Sequence, residues 1–199
     1  MGHGDAQGLR LPPRIAPIQV AIVVVRDEDG AVDKARELGD QVAATGARVQ
    51  VDADVHTGFG RRAVDWELKG VPLRIDLGPR DLAEGQVTIL RRDSGEKRQV
   101  PLEGVEHRIA DLLDDIQAAM LAEATEFRDA ATTDVGTVEE ALEVGREGVG
   151  RIEWAKLGTD GERQLLNEGI SVRCIQRSDG AVPASEDEPD LQAIVARAY

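Results

Sequence analysis

The sequence predicts an α/β protein in which helices cover a mixed β-sheet. Three observations support this: an almost uninterrupted apolar run at residues 18–25, stretches at 48–52 and 73–77 that alternate polar and apolar residues, and a long amphipathic stretch after residue 104. The first pattern is typical of a central strand covered on both faces, the second of half-buried strands and the third of a helix. Strands and helices in this order pack as layers.

The first predicted elements are a strand and a helix. Residues 18–25 read IQVAIVVV, and such β-branched residues favour a buried strand. A helix should follow a polar break, with Gly46 just beyond its end and one apolar face formed by Ala35, Leu38 and Val42.

After the two half-buried strands, the pattern predicts a β-hairpin and then a long helix. The hairpin joins residues 87–92 to 97–102 through a turn at 93–95. The helix has an acidic face opposite an apolar stripe about six turns long, made of Val105, Ile109, Leu112, Leu113, Ile116, Ala119, Met120, Ala124 and Phe127.

A second, smaller unit is predicted after a boundary near residues 130–136, where residues 132–136 look like a linker. In this unit Trp154 should anchor the core. The other predicted elements are a short acidic helix at 138–147, strands at 170–175 and 192–197, and an exposed polar loop at 178–190.

Composition limits the class of protein. The chain has 199 residues, of which 41% are hydrophobic and 31% charged, and this excludes a wholly disordered chain. No apolar run approaches the ~20 residues that cross a bilayer, and no export signal is visible at the start. The single cysteine, Cys174, fits a reducing compartment. We therefore expect a soluble, cytoplasmic protein.

The charge distribution leaves nucleic-acid binding open. A formal net charge of −14 opposes general affinity for phosphates. However, residues 61–98 carry more Arg and Lys than Asp and Glu, whereas residues 103–147 are strongly acidic. This pattern fits either a local basic face that binds RNA selectively or the ordinary charge variation of a solvated surface.

The residues do not predict an active site. The three histidines are scattered without metal-ligand spacing, and neither a nucleophile motif nor a phosphate-binding loop is present. Cys174 stands among apolar residues of a predicted strand, so we expect a buried, inert thiol.

The most informative stretch is residues 66–81, WELKGVPLRIDLGPRD. Strand alternation places Leu73, Ile75 and Leu77 on the core face and Arg74 and Asp76 on the other. Carboxylates, arginine and lysine beside a rigid turn can read base edges, and an exposed tryptophan can stack on a base. Taken by themselves, the residues favour a core position for Trp66 and an ordinary surface position for Arg74.

This stretch resembles the anticodon-binding domain of prolyl-tRNA synthetases of the archaeal-like type, which are class II enzymes. Two further blocks resemble the same family: HGD at residues 3–5 with GLRLPPRIAP at 8–17, and the ending VARAY at 195–199. In that family the opening block marks the exit from the catalytic core. The resemblance therefore covers nearly the whole chain.

The resemblance implies a class IIa anticodon-binding domain, a five-stranded mixed sheet flanked by helices, at residues 17–131. Residues 1–16 would be the exit from the catalytic core and residues 137–199 a small α+β C-terminal domain. The implied partners are proline tRNA and the catalytic domain of the same enzyme, with neither membrane nor DNA. The implied tRNA contacts are Glu67, Lys69 and Arg74 at bases or backbone, Arg61, Arg62 and Arg80 at phosphates, and Trp66 in the same block. The terminal Tyr199 would face the active site.

Two departures from the family limit what this chain can do. The class II motifs that bind ATP, proline and the acceptor end lie upstream of its first residue, so ATP and magnesium belong to the whole enzyme. Many members also bind zinc through four cysteines, of which only Cys174 is present. We expect a zinc-free C-terminal domain, no cofactor in this chain, and no aminoacylation by it alone.

Three functions remain open at this point. The chain could be the tRNA-reading part of a proline–tRNA ligase, or a stand-alone RNA-binding or regulatory module derived from the same domain. A third possibility is a protein-interaction module whose acidic helix docks a partner. The codons upstream of Met1 would separate the first possibility from the second.

Overall fold

A computed structural model describes residues 3–185 and 187–197. The chain divides into two compact units, with the division between Glu123 and Ala124. None of the helices in the described ranges is both long and apolar enough to span a membrane.

The first unit begins with a short hairpin and continues as alternating strands and helices. Its elements are β1 (Gly4–Asp5), β2 (Gly8–Leu9), β3 (Val20–Val24), α1 (Ala31–Ala44), β4 (Val49–Asp52), α2 (Phe59–Leu68), β5 (Leu73–Leu77), α3 (Pro79–Ala83), β6 (Gln86–Arg91), β7 (Lys97–Pro101) and α4 (Val105–Ala131), the last of which extends past Glu123.

The main sheet of this unit has five strands in the order β4-β3-β5-β6-β7. The central strand β3 pairs in parallel with both β4 and β5, whereas β5, β6 and β7 pair antiparallel. A buried central strand with parallel neighbours reads as a continuous apolar run, which explains residues 18–25. The predicted five-stranded mixed sheet with flanking helices is confirmed.

Both faces of this sheet are covered, because successive residues of a strand point to opposite sides. Ile22 and Ile75 face a core that also contains buried residues of α1 and α4. On the other side, Ala21 and Val23 pack with Trp66 of α2. Strand β5 is consequently buried along its whole length. The prediction of a half-buried strand was wrong, since α2, which the sequence pattern did not reveal, covers its second face.

The second unit contains a four-stranded sheet and two helices. Its elements are β8 (Thr132–Asp134), α5 (Val138–Gly145), β9 (Val149–Glu153), α6 (Trp154–Asn167), β10 (Ile170–Gln176) and β11 (Gln192–Arg197), with strand order β10-β11-β9-β8. Trp154 packs against its core as predicted. The segment interpreted as a linker includes β8, and β9 and α6 were not predicted.

Two predictions of burial were wrong. Cys174 is exposed, because a bulge after Val172 shifts the β10–β11 register. Cys174 therefore pairs with Ile194 and not with the buried Ala193, which would face it in an unbroken register. In α4 the apolar stripe is buried only in its first half, and Phe127 near its end is 78% exposed.

Candidate nucleic-acid interface

The predicted contact residues lie on α2, on the turn that follows it and on β5. Helix α2 ends with Lys69 as its C-cap, and Gly70 then adopts a left-handed conformation with φ of 69°. This turn is the usual way to leave a helix without steric strain, because glycine has no Cβ. It brings the chain back along the helix into β5, so Arg74 lies beneath α2.

Trp66 does not offer an open stacking surface in this structure. Its side chain is only 5% exposed, and its indole Nε1 donates to Oδ2 of Asp52 at 2.8 Å. The Nζ of Lys69 lies 4.2 Å from the ring centroid, a cation–π geometry that fixes the ammonium above the ring. Trp66 thus fills the core and holds Lys69, which is itself exposed.

Arg62 is also buried and forms its hydrogen bonds within the protein. It is 4% exposed, and Nη2 donates to the carbonyl of Val24 at 2.6 Å. Nη1 donates to both the carbonyl and Oδ1 of Asp52, while Nε donates to the carbonyl of Thr57. The guanidinium therefore joins α2 to the ends of β3 and β4.

Arg74 holds a buried cluster of charges between α2 and the sheet. It is 8% exposed, and it donates to both carboxylate oxygens of Asp76, at 2.8 and 3.3 Å. Its Nη1 donates to Oε1 of Glu67 at 3.0 Å and to the carbonyl of Ala63 at 3.1 Å. Burial raises the pKa of Asp76, and the hydrogen bonds from Arg74 oppose that rise.

Glu67 is the carboxylate of this cluster that reaches the surface, with its side chain 35% exposed. Arg74 holds one of its oxygens, and the other, Oε2, has no hydrogen-bond partner within residues 3–185 and 187–197. Glu67 is therefore oriented by a buried cation while keeping a free acceptor at the surface.

Three of the predicted cations are exposed: Arg61 on α2, Lys69 at its end and Arg80 on α3. In the part of the chain that the structure describes, neither Arg61 nor Arg80 belongs to an ion pair. The sequence thus singled out two kinds of residue: exposed groups able to meet a ligand, and the buried Arg62, Trp66 and Arg74.

Sequence reasoning missed two residues that support this region, Arg92 and Asp52. Asp52 accepts from both Trp66 and Arg62, and it follows the alternating pattern of β4 as an ordinary polar residue. Arg92 is 7% exposed and donates to both oxygens of Asp5 in the opening hairpin. Neither residue carries a sequence signal, since their partners are distant along the chain.

Comparison with known proteins identifies the region. The sequence profile of the family described as "Anticodon binding domain" matches residues 19–112. The chain is 49% identical over its whole length to the proline–tRNA ligase of Frankia casuarinae, and covers 43% of that protein. It is homologous to proline–tRNA ligases and contains their anticodon-binding domain.

Less similar relatives are also proline–tRNA ligases. The chain is 46% identical to proline–tRNA ligase 2 of Streptomyces avermitilis and 33% identical to the proline–tRNA ligase of Methanococcoides burtonii. In both cases the chain covers 42% of the relative's length. It therefore spans less than half of the proline–tRNA ligases it matches.

Two earlier predictions remain predictions. Tyr199, expected to face the active site, lies outside the described residues. Within residues 3–185 and 187–197, no three His, Cys, Asp or Glu side chains are grouped closely enough to hold a metal ion.

Proposed function

We propose that this chain recognises the anticodon of proline tRNA as part of a proline–tRNA ligase in the cytoplasm. The observation that carries the proposal is the match of residues 19–112 to the anticodon-binding family, inside a chain 49% identical to a proline–tRNA ligase. The remainder of the ligase would be its second partner, with no role for DNA or a membrane.

Base reading is proposed for Glu67 and Lys69. The free oxygen of Glu67 can accept a hydrogen bond from an amino or imino group of a base. The ammonium of Lys69 can donate to O6 and N7 of an anticodon guanine. Arg74 and Trp66 would hold these two side chains in position, because Arg74 donates to Glu67 and the ring of Trp66 lies under the ammonium of Lys69.

Phosphate contacts are proposed for Arg61 and Arg80, which are exposed. Each contact would release counterions and so make binding salt-dependent. The buried Arg62 would support them by holding α2, since its donors are directed at carbonyl and carboxylate oxygens of the protein.

In the complete ligase, proline activation would use ATP and magnesium, and anticodon binding would help to position the acceptor end by remote binding energy. For the 199-residue chain we expect no proline-dependent exchange between ATP and pyrophosphate, and no tightly bound zinc by elemental analysis. One zinc ion per chain would contradict the second expectation.

The test measures, by filter binding, the affinity of the chain for two RNAs. One is the anticodon stem-loop of proline tRNA, and the other is the same hairpin with its anticodon guanines replaced. Glu67→Gln and Lys69→Met should reduce the preference for the first RNA, by about 1–3 kcal/mol if a bidentate contact is lost.

Arg61→Met and Arg80→Met should lower the affinity for both RNAs alike, and each should reduce the salt dependence of binding by about one unit of slope. Arg98→Met, an exposed arginine on β7, is the control. Equal affinity of the unaltered chain for the two RNAs would contradict the proposal.

A further inference from the structure

The opening hairpin β1–β2 packs closely against the turn that ends α2. A Cβ placed on Gly70 would lie 2.6 Å from the Cβ of Leu9, and one placed on Gly8 would lie 2.7 Å from the Cα of Leu68. Both glycines also have positive φ. In addition, the amide of Leu11 donates to the carbonyl of Gly70 at 3.3 Å. Two glycines are thus needed for this approach of backbone to backbone.

Arg92 joins the same two segments through its side chain. Its Nη1 and Nη2 donate to Oδ2 and Oδ1 of Asp5 at 2.9 and 2.6 Å. Its Nε donates to the backbone carbonyl of Glu67 at 3.3 Å. Arg92 is buried, and its own amide donates to the carbonyl of Pro72 at 2.9 Å. The backbone from which the guanidinium extends is therefore held in place.

Glu67 is therefore held at two points by two arginines. Arg74 fixes its carboxylate from inside the sheet, and Arg92 fixes its carbonyl from the side of the hairpin. Lys69 lies two residues later, between Leu68 and Gly70, which pack against the opening hairpin. Sites that discriminate bases need their groups held within about 0.5 Å of the productive geometry, which packing and hydrogen bonds around them provide.

We infer that Asp5 and Arg92 are positioning residues: through them and the glycine contacts, the opening hairpin sets the place of Glu67 and Lys69 for reading an anticodon. This inference rests on the proposed function. It makes the state of the hairpin and the affinity for RNA mutually dependent, so bound RNA must stabilise the docked hairpin as much as the docked hairpin favours bound RNA.

The main experiment compares Asp5→Asn with Asp134→Asn in the full 199-residue chain. Each substitution removes a carboxylate that accepts two hydrogen bonds from one arginine, and each changes the net charge equally. Asp134 lies on β8 of the other unit. Asp5→Asn should reduce the ratio of affinities for the proline stem-loop and its guanine-substituted form about fivefold to tenfold, whereas Asp134→Asn should not change it.

A second pair tests the arginine itself. Arg92→Met should lower the same ratio, and Arg91→Met should not, although Arg91 also donates to both oxygens of an aspartate, Asp93. If Arg92→Met does not fold, Asp5→Asn decides the question, since Asp5 is exposed and its replacement leaves the core intact.

A readout at the hairpin separates positioning from general stability. Hydrogen exchange of the Leu11 amide should slow when the proline stem-loop binds the unaltered chain, and Asp5→Asn should remove most of that protection. An unchanged affinity ratio in Asp5→Asn, or an equal loss in Asp134→Asn, would overturn the inference. If the unaltered chain does not distinguish the two RNAs, the proposed function itself fails, and the inference fails with it.

Discussion

The two units of this chain differ in their arginine–carboxylate pairs: among the described residues, buried arginines occur in the first unit and not in the second. In the first unit the sheet is covered on both faces, and Arg62, Arg74 and Asp76 are buried between α2 and the strands. In the second unit the pair of Arg151 and Asp134 lies at the surface, with side chains 37% and 71% exposed. Buried pairs fix geometry at a large desolvation cost, whereas exposed pairs contribute little. The difference indicates that the first unit is built to hold polar groups in place.

The strongest test of this comparison is Arg74→Met. Removing the guanidinium leaves Asp76 buried without its partner, and we expect a loss of about 3–5 kcal/mol in the free energy of unfolding, measured in urea. The double variant Arg74→Met/Asp76→Leu should recover much of that loss, because it removes the unpaired charge. A loss below 1 kcal/mol in the single variant would show that water reaches Asp76 and that the cluster is not desolvated.

Gly70→Ala should have the next largest effect. The new Cβ would clash with Leu9, and alanine would have to adopt the left-handed backbone conformation that glycine tolerates. We therefore expect the free energy of unfolding to fall by about 1–3 kcal/mol. Limited proteolysis should then cut near residues 8–11 first. Gly85→Ala is the matched control, since Gly85 also has positive φ but has nothing within 4 Å of an added Cβ.

Arg151→Met in the second unit should change stability by only about 0–1 kcal/mol, although Arg151 donates to both oxygens of Asp134. The comparison between the units depends on the contrast between this value and that of Arg74→Met in the same urea experiment. Similar losses in the two variants would contradict it.

The smallest expected effect is that of acid on the hairpin. Hydrogen bonds from Arg92 lower the pKa of Asp5 from 3.8 to about 2. The folded state therefore favours the ionised carboxylate, and its contribution is complete above pH 3.8 and disappears as the pH falls through about 2. Protection of the Leu11 amide, corrected for intrinsic exchange, should decline over that interval, and Asp5→Asn should abolish the decline.

Much of the first unit's sheet could be predicted from the sequence, because its strands and α1 bury regular apolar patterns. Helix α2 could not. Gly60 stands in its first turn, and its inward side includes Arg62 beside Ala63 and Trp66, so the stripe does not look apolar. The same charge burial hid the roles of Arg74 and Arg92. A pattern of hydrophobicity counts an arginine as a surface residue, and it cannot show that carboxylates and a covering helix enclose the side chain.

In the second unit the pattern failed for a different reason. Gly158 interrupts α6 with a non-helical conformation. The buried positions Leu157, Gly161 and Leu165 keep helical spacing, but the glycine among them weakens the apolar stripe. Strand β8 consists of three polar residues, Thr132–Asp134, so it lacks the alternation of polar and apolar residues that predicts a strand. The bulge beside Cys174 reverses the side on which the strand's later residues point. Of the residues that the sequence singled out as tRNA contacts, Lys69 and Arg80 are exposed, and their role stays a prediction. The sequence did not single out Asp5, whose partner Arg92 is distant along the chain.

The placement of the two tryptophans gives each unit its own optical probe. The chain contains two tryptophans. Trp66 is buried beneath Lys69 in the first unit, whereas Trp154 is partly buried in the second. Replacing either tryptophan by phenylalanine leaves emission from one unit only. The enclosed indole should emit at shorter wavelength than the partly solvated one, so denaturation of the two units can be followed separately without attaching a dye.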